Sequence, residues 1–334
     1  VQGSPLVSVV TPFYNTAEYL EECIRSVLAQ DCADFEYLLC DNASDDGSSE
    51  IARRYAAQDS RIRYLRFEDH VPQVRNYNRA LTFIHPHSRY CKVVQADDLL
   101  EAECLSAMVS VAHAHPTAGL VVGFYRQGDV IRTDGWPELR QLWHGREVAR
   151  GKLLHDHFPT GSPTSVMYRA DLVRRRLPDF YAPDRYSEDT DVEFDILAES
   201  ELAFVPRVLS FLRTDDRSIS GSVRRFSPWY VFRVVTVQRH GPRFLEEPAL
   251  AQLRHRVETD YLNFLGRSLL KLEPPAFWAY HAGALSTVGR RLPRAAIAAA
   301  AFRELARHLS SPAESLRKII RGGRSRPRES ERGQ

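Results

Sequence analysis

Four stretches of the chain concentrate acidic, amide and hydroxyl side chains; three of them stand directly behind apolar runs, where such groups can reach a bound molecule, and the fourth lies near residue 190. They are TPFYN (residues 11–15), CDNASDDGS (40–48), QADD (95–98) and YSEDTDVEF (186–194). Asp41 follows the apolar YLLC. A carboxylate at a strand's carboxyl end can accept hydrogen bonds from a ribose hydroxyl or a base N–H. Asp97 and Asp98 follow VVQA. Adjacent carboxylates repel each other, a cost accepted where a divalent cation sits between them and a phosphate. Plainer roles exist for two of the stretches. Asp45–Ser49 can open a helix, with Asp46 or Ser48 as N-cap, and the acids of 188–191 can serve the first turn of another.

The elements that must position these groups alternate in period. Val7–Val10, Tyr37–Leu39, Ile62–Leu65 and Cys91–Val94 read as buried strands. Tyr19–Leu28, Ile51–Tyr55 and Val74–Phe83 between them carry apolar residues at helical spacing. That alternation predicts a mostly parallel sheet with helices on both faces, so that the first three polar stretches converge at one sheet edge. After Asp98 come a helix over Leu105–Ala114, the strand-like LVVGFY and VIR, a region rich in Trp, His and Gly, and a last strand ending near residue 213. From about Pro228 the spacing is helical, with prolines at helix boundaries. The expected division is residues 1–222 as the α/β domain, 223–311 as a helical region, and 312–334 as a basic, flexible tail.

At 334 residues, 43% apolar and 26% charged, the chain has the balance of a soluble globular protein. A net charge of +2 gives no ground for nucleic-acid binding. Cys23, Cys32, Cys40, Cys91 and Cys104 lack CxxC spacing and read as reduced packing thiols. With no apolar run of about 18 residues and no leader pattern at its start, the sequence points to the cytoplasm. The pairs His85/His87 and His155/His157 have metal-like spacing but no supporting Cys or His partners, which favours loop histidines. Gly161 and the hydroxyls of TGSPTSVMYR fit either a turn or a sugar-facing loop.

Together these stretches resemble family-2 glycosyltransferases. PLVSVVTPFYNTAEYLEECIRSVLAQ is similar to that family's opening strand, Tyr-Asn pair and first helix. CDNASDDGSSEI resembles its Asp-x-x-Ser-x-Asp-Gly-Ser turn, VRNYNRAL its Asn-rich helix start, and KVVQADDLLEAECL its D-x-D segment. The resemblance covers roughly residues 5 to 220. It implies a GT-A fold and an inverting transfer from a nucleotide-sugar, a UDP-sugar, with Mn²⁺ or Mg²⁺, in polysaccharide or cell-envelope synthesis. By similarity Pro12, Tyr14 and Asp41 line the uridine pocket. Asp97 binds the cation at the diphosphate, assisted by Asp98. Gln95, standing where the family has the first Asp of D-x-D, meets a ribose hydroxyl. Arg75, Asn76 and Asn78 are further donor-site candidates.

YSEDTDVEF resembles the segment whose Asp is the general base. That assigns Asp189 as base, with Glu188 positioning it or the acceptor, and leaves Asp191 as a helix cap. An Asp ordinarily titrates near about 3.9, so the base is expected ionised at neutral pH without tuning. In LRTDDRSISGS, Arg213 fits a basic position near the diphosphate. Asp215 replaces the family's His there, and Arg217 is a second candidate to neutralise phosphate. The acceptor implied is a glycan, a lipid-linked sugar or another hydroxyl. The basic run Arg317, Lys318, Arg321, Arg324, Arg326 and Arg328 suggests peripheral contact with the inner face of the membrane.

Two rivals remain open. A sugar nucleotidyltransferase wants a Gly-rich basic loop after the first strand, and TPFYNTAEYL has no glycine. A sugar-nucleotide-binding protein without turnover needs no base. An NAD-dependent oxidoreductase fails for want of a GxGxxG after a strand.

Overall fold

The computed structural model describes residues 4–183, 185, 187–214 and 219–310. Its first stretch runs β1 (Val7–Phe13), α1 (Ala17–Leu28), β2 (Phe35–Asp41), α2 (Ser48–Ala56), β3 (Ile62–Arg66), α3 (Gln73–Leu81) and β4 (Tyr90–Val93). β1, β2 and β4 are buried along their whole length. That explains their continuous rather than alternating apolar pattern. β1 lies between β2 and β4, and β3 flanks β2, all parallel.

The chain then forms β5 (Leu99–Leu100), α4 (Cys104–Ala114), β6 (Ala118–Gln127), β7 (Val130–Arg132), β8 (Leu142–Trp143) and α5 (Gly145–His155). After a 3₁₀ turn at Pro163–Ser165 come β9 (Val166–Arg169), α6 (Ala170–Arg174), α7 (Glu188–Leu197) and β10 (Glu201–Leu212). The sheet order is β3-β2-β1-β4-β9-β6-β10-β5, with β7 on β6 and β8 on β10. β10 is parallel to β6, and β9 enters antiparallel between β4 and β6. The expected α/β class with a mostly parallel sheet is what the chain forms. β8, α5 and β9 are additions, hidden in the Trp- and His-rich region that gave no clear period.

The helices that follow are α8 (Ile219–Arg224), α9 (Trp229–Phe244), α10 (Glu247–Leu270), α11 (Pro275–Ser286) and α12 (Arg294–Ser310). The chain divides into two compact units. One runs through Arg225 and takes back His240–Glu246, while the other holds Phe226–Arg239 and the chain from Glu247 on. A single cut at 222 would miss that return, because the last part of α9 carries His240 into the first unit's packing. In the helical unit, Gly266 on α10 meets α12 so closely that a Cβ would stand 2.8 Å from the Ala300 carbonyl carbon. His281 is fully buried, with Nδ1 3.0 Å from the Tyr261 hydroxyl and Nε2 2.9 Å from the Phe226 carbonyl. Burial pushes it down to about 4.

Candidate active site

The turns after β1 and β2 are stitched together. Ser44 Oγ accepts from the Asn15 amide at 3.1 Å, Ser48 Oγ from the Thr16 amide at 2.9 Å, and Asp46 from the Ala17 amide at 2.9 Å. Asn15 and Asp45 exchange two more bonds, at 2.8 and 3.0 Å. This is why the second turn is so rich in Asp and Ser: its side chains satisfy the exposed amides of the first. Asn15 sits at φ 51° and Ala43 at φ 65°, conformations that such a mesh must hold in place. Gly47, at φ 99°, rather than Asp46 or Ser48, is the residue preceding α2. Asp46 nonetheless accepts from the Ser48 amide at 3.0 Å.

Above these turns opens a cleft of about 790 Å³, walled by all four polar stretches. Pro12, Tyr14, Asn76, Gln95, Asp97, Glu188 and Asp189, expected from sequence, all line it. Tyr14 is 43% exposed and its ring lies 4.3 Å from that of His70, which gives the cleft an aromatic wall. Gln95 Nε2 reaches Tyr77 Oη at 3.4 Å. Ser162, one of the hydroxyls of the TGSPTSVMYR stretch, lines the cleft, as do Asn42, His70, Tyr77 and Tyr181, which were not singled out from sequence. Asn42 is simply the residue after the one chosen. The others lack a local polar signature.

Other expected residues turn away. Asp41 is fully buried and does not wall the cleft. It accepts from Ser44 N (2.8 Å), Ser49 Oγ (2.5 Å), Tyr64 Oη (2.7 Å) and Arg66 (3.0 Å). Burial, the largest influence, pushes its carboxyl up, but the bonds from Ser49, Ser44 and Tyr64 outweigh it and hold it below the ordinary range. Asp98 likewise faces inward, accepting from Thr164 Oγ1 (2.6 Å), Ser162 Oγ (3.4 Å) and the Arg213 amide (2.9 Å). Burial and then Asp97 push it up to about 7. Its lone pairs serve the fold, so it is not placed to share a cation.

Arg213 is not itself part of the cleft lining but packs behind it, its guanidinium 4.6 Å from the ring centre of Tyr19, which is. Its Nε donates to the Asp97 carbonyl at 2.9 Å and its Nη2 to Glu22 at 2.8 Å, which ties the 95–98 turn to α1. Asn78 is buried and clamps the Tyr181 backbone, donating to its carbonyl at 2.6 Å and accepting from its amide at 2.8 Å. Arg75 is exposed on α3, outside the cleft lining. Asp215 and Arg217 lie outside the described residues.

Asp97 is therefore the one carboxylate of the QADD turn that walls the cleft. Among the described residues no cluster of three or more His, Cys, Asp or Glu could hold a metal by itself. A lone carboxylate fits Mg²⁺ or Mn²⁺, ions that keep waters and take phosphate oxygens to complete their shell.

Asp189, the second residue of α7, is half-buried and accepts from the Thr190 amide at 2.7 Å. Burial first, then the charges of Glu193 and Glu188, push its carboxyl up to about 7. The expectation of an untuned Asp is thus corrected. Asp191 is no cap. It is buried with Oδ1 2.5 Å from His240 Nε2, and the His240 ring stacks 4.5 Å from Phe194. A second cleft of about 390 Å³ is lined by Arg176, Arg185, Asp195, Glu199 and Arg243 among others, and these charges pair with one another.

Residues 8–177 match the model of glycosyl transferase family 2. The chain belongs to that family. Among its relatives is EpsJ of Bacillus subtilis strain 168, named an uncharacterised glycosyltransferase. It is 28% identical over 201 residues, which are 59% of this chain and 57% of EpsJ. The chain thus spans little more than half the length of that relative. Residues 1–349 of S. aureus TarS superpose with a TM-score of 0.60 at 17% identity, covering 87% of this chain and 82% of that one. The mannosyltransferase PcManGT of Pyrobaculum calidifontis gives 0.52 at 19% identity, covering 94% and 84%. The shared fold is the GT-A arrangement.

Proposed function

We propose that the family-2 domain is an inverting glycosyltransferase that moves a sugar from a UDP-sugar to a hydroxyl of a glycan or lipid-linked acceptor. The observation that carries this reading is that Asp97 and Asp189, far apart in sequence, wall one cleft with the Tyr14–His70 pair. In this reading the nucleoside lies against Tyr14 and His70, between the stitched turns and α3. Gln95 and Asn76 offer amides to the ribose and diphosphate. When bound, a divalent cation at Asp97 neutralises charge on the departing diphosphate.

Asp189 takes the proton of the acceptor hydroxyl as that oxygen bonds to the anomeric carbon. The bond from that carbon to the diphosphate oxygen breaks, its electron pair leaves with the nucleoside diphosphate, and configuration inverts. Glu188, beside it, orients the acceptor. TarS has been solved with UDP and with UDP-GlcNAc, and PcManGT with GDP-Man and Mn²⁺; both support a nucleotide-sugar donor here, and the second supports a cation beside it.

Phosphate capture by the first turn, as a nucleotidyltransferase needs, gains no support, since Ser44, Ser48 and Asp46 already occupy its amides. The remaining parts of the proposal are a cytoplasmic site of action, a helical region after residue 222, and membrane contact through the basic run beyond 311, which lies outside the described residues. Among the described residues no helix is long and apolar enough to cross a membrane. The deciding experiment is thermal stabilisation by UDP, UDP-GlcNAc, GDP and GDP-mannose with Mn²⁺ or EDTA, followed by release of free sugar. No stabilisation by any of these nucleotides would overturn the reading.

A further inference from the structure

Glu193 lies one helical turn beyond Asp189 on α7 and is 4% exposed. Its Oε2 accepts from Lys152 Nζ at 3.1 Å and from Thr160 Oγ1 at 2.8 Å, and Lys152 Nζ also donates to Thr160 Oγ1 at 2.9 Å. The three groups close a triangle between α7, α5 and the segment that follows α5. Burying an ion pair rarely stabilises a fold more than apolar packing would. Something other than stability therefore favours it here, and the neighbourhood shows what. The segment leaves α5 through Asp156 and Phe158, both non-glycine residues at positive φ (57° and 58°). Just past Thr160 it delivers Ser162 and Pro163 to the wall of the cleft. One buried triangle thus joins the helix that carries Asp189 to the segment that walls the same cleft.

We propose that Lys152, Thr160 and Glu193 form a positioning unit for Asp189, fixing its helix against the 160–163 wall and keeping a negative charge one turn from its carboxylate. The inference rests on Asp189 being the base. Among the described residues, the ionisable groups that sense Asp189 include Glu188 and Glu193 on α7, Lys152 on α5, Tyr168 on β9 and Tyr181. Those that sense Glu193 also include Tyr125 on β6. Both phenols near Asp189 are held well above their ordinary range and stay neutral. Within this set the Glu193 charge acts with burial to keep the proton on Asp189, and Lys152 opposes it.

The test uses the full chain without ligand. The melting-temperature difference between each protein and its Asp189→Asn counterpart is followed from about pH 3 to pH 9; the midpoint read is the pH at which its slope falls away to a plateau, which marks the titration of Asp189 in the folded chain. Glu193→Gln is expected to move the midpoint to lower pH by about one unit, a tenfold change in proton affinity. Thr160→Val, which opens the triangle without altering charge, is expected to lower the melting temperature but leave the midpoint in place. The double variant Lys152→Gln/Glu193→Gln, which buries no lone charge, shifts in the same direction and serves if the single variant does not fold. The pH profile of sugar release from donor should move with the midpoint. An unmoved midpoint in the Glu193 variants, or an equal shift in Thr160→Val, overturns the inference alone. Wild-type turnover by Asp189→Asn overturns the base reading, and this inference with it.

Discussion

Thr164 Oγ1 donates to Asp98 Oδ2 at 2.6 Å while accepting from the Gln95 amide at 3.0 Å. The second carboxylate of the QADD turn is thereby committed to holding the turn, and the first is left at the cleft. The two neighbours should fail differently. Asp98→Ala leaves buried donors unmet and is expected to cost about 2–3 kcal/mol of stability. Asp97→Ala is expected to cost less but to remove the cation-dependent part of stabilisation by UDP. At a hundred times its dissociation constant, the nucleotide should add about 2.7 kcal/mol in wild type. Thermal melts with Mn²⁺ and with EDTA read both; equal stabilisation by UDP in EDTA would remove the cation from Asp97.

Asp189→Asn should lower turnover by about 10² to 10⁴ with little change in affinity for UDP. A base must be unprotonated to act, and this carboxyl is pushed up to about 7. Wild-type turnover is therefore expected to rise with pH through about 7 and level off above it. The native state holds this proton more tightly than the unfolded chain, whose Asp titrates near about 3.9. Ionisation therefore works against the fold from about pH 4 to pH 7, and Asp189→Asn should gain melting temperature relative to wild type as pH rises through that window. A turnover profile flat from pH 5 to 9 would count against Asp189.

Asp41 gives the opposite sign. Its carboxyl is held below the ordinary range, so its contribution to stability is present above about pH 4 and is lost as the pH falls through its lowered value. Asp41→Asn is expected to cost about 2 kcal/mol at neutral pH, because charge-assisted bonds from Ser49, Tyr64 and Arg66 weaken together. Urea midpoints at neutral and acid pH should converge on those of wild type as the medium becomes acid. A variant with full stability and lost UDP binding would restore Asp41 to the nucleotide.

For the basic run beyond 311, salt-sensitive binding to anionic vesicles is expected, each basic residue near the surface contributing about 1 kcal/mol. Co-sedimentation of the full chain is compared with a chain ending near Pro312. Equal sedimentation of the two would remove the membrane from the proposal.

The strands and helices of the first hundred residues were legible because both faces of β1, β2 and β4 are buried and their apolar runs are bounded by turn residues. The polar stretches were legible as a group for the same reason. Which residue of the second stretch faces the cleft, and that only one acid of QADD does, was not. Asp41 and Asn42 differ only in which way the chain points at the end of β2, and Asp97 and Asp98 differ by bonds to Thr164 and Arg213, remote in sequence. Lys152 and Glu193 were hidden among ordinary helical charges. Their meaning depends on α5 and α7 meeting, which no local pattern announces.

β9 has a consequence for the order in which the protein assembles. β1 to β4 pair among themselves and are complete by Val93, whereas β6 and β10 pair only with each other and their own flanks. Among the described residues, every ladder between these two halves runs through Val166–Arg169. During synthesis the half built on β1 to β4 can therefore form early, while β6 waits for both β9 and β10 to emerge. The four residues of β9 thus act as a keystone, the one strand whose ladders join the β1–β4 group to β6 among the described residues.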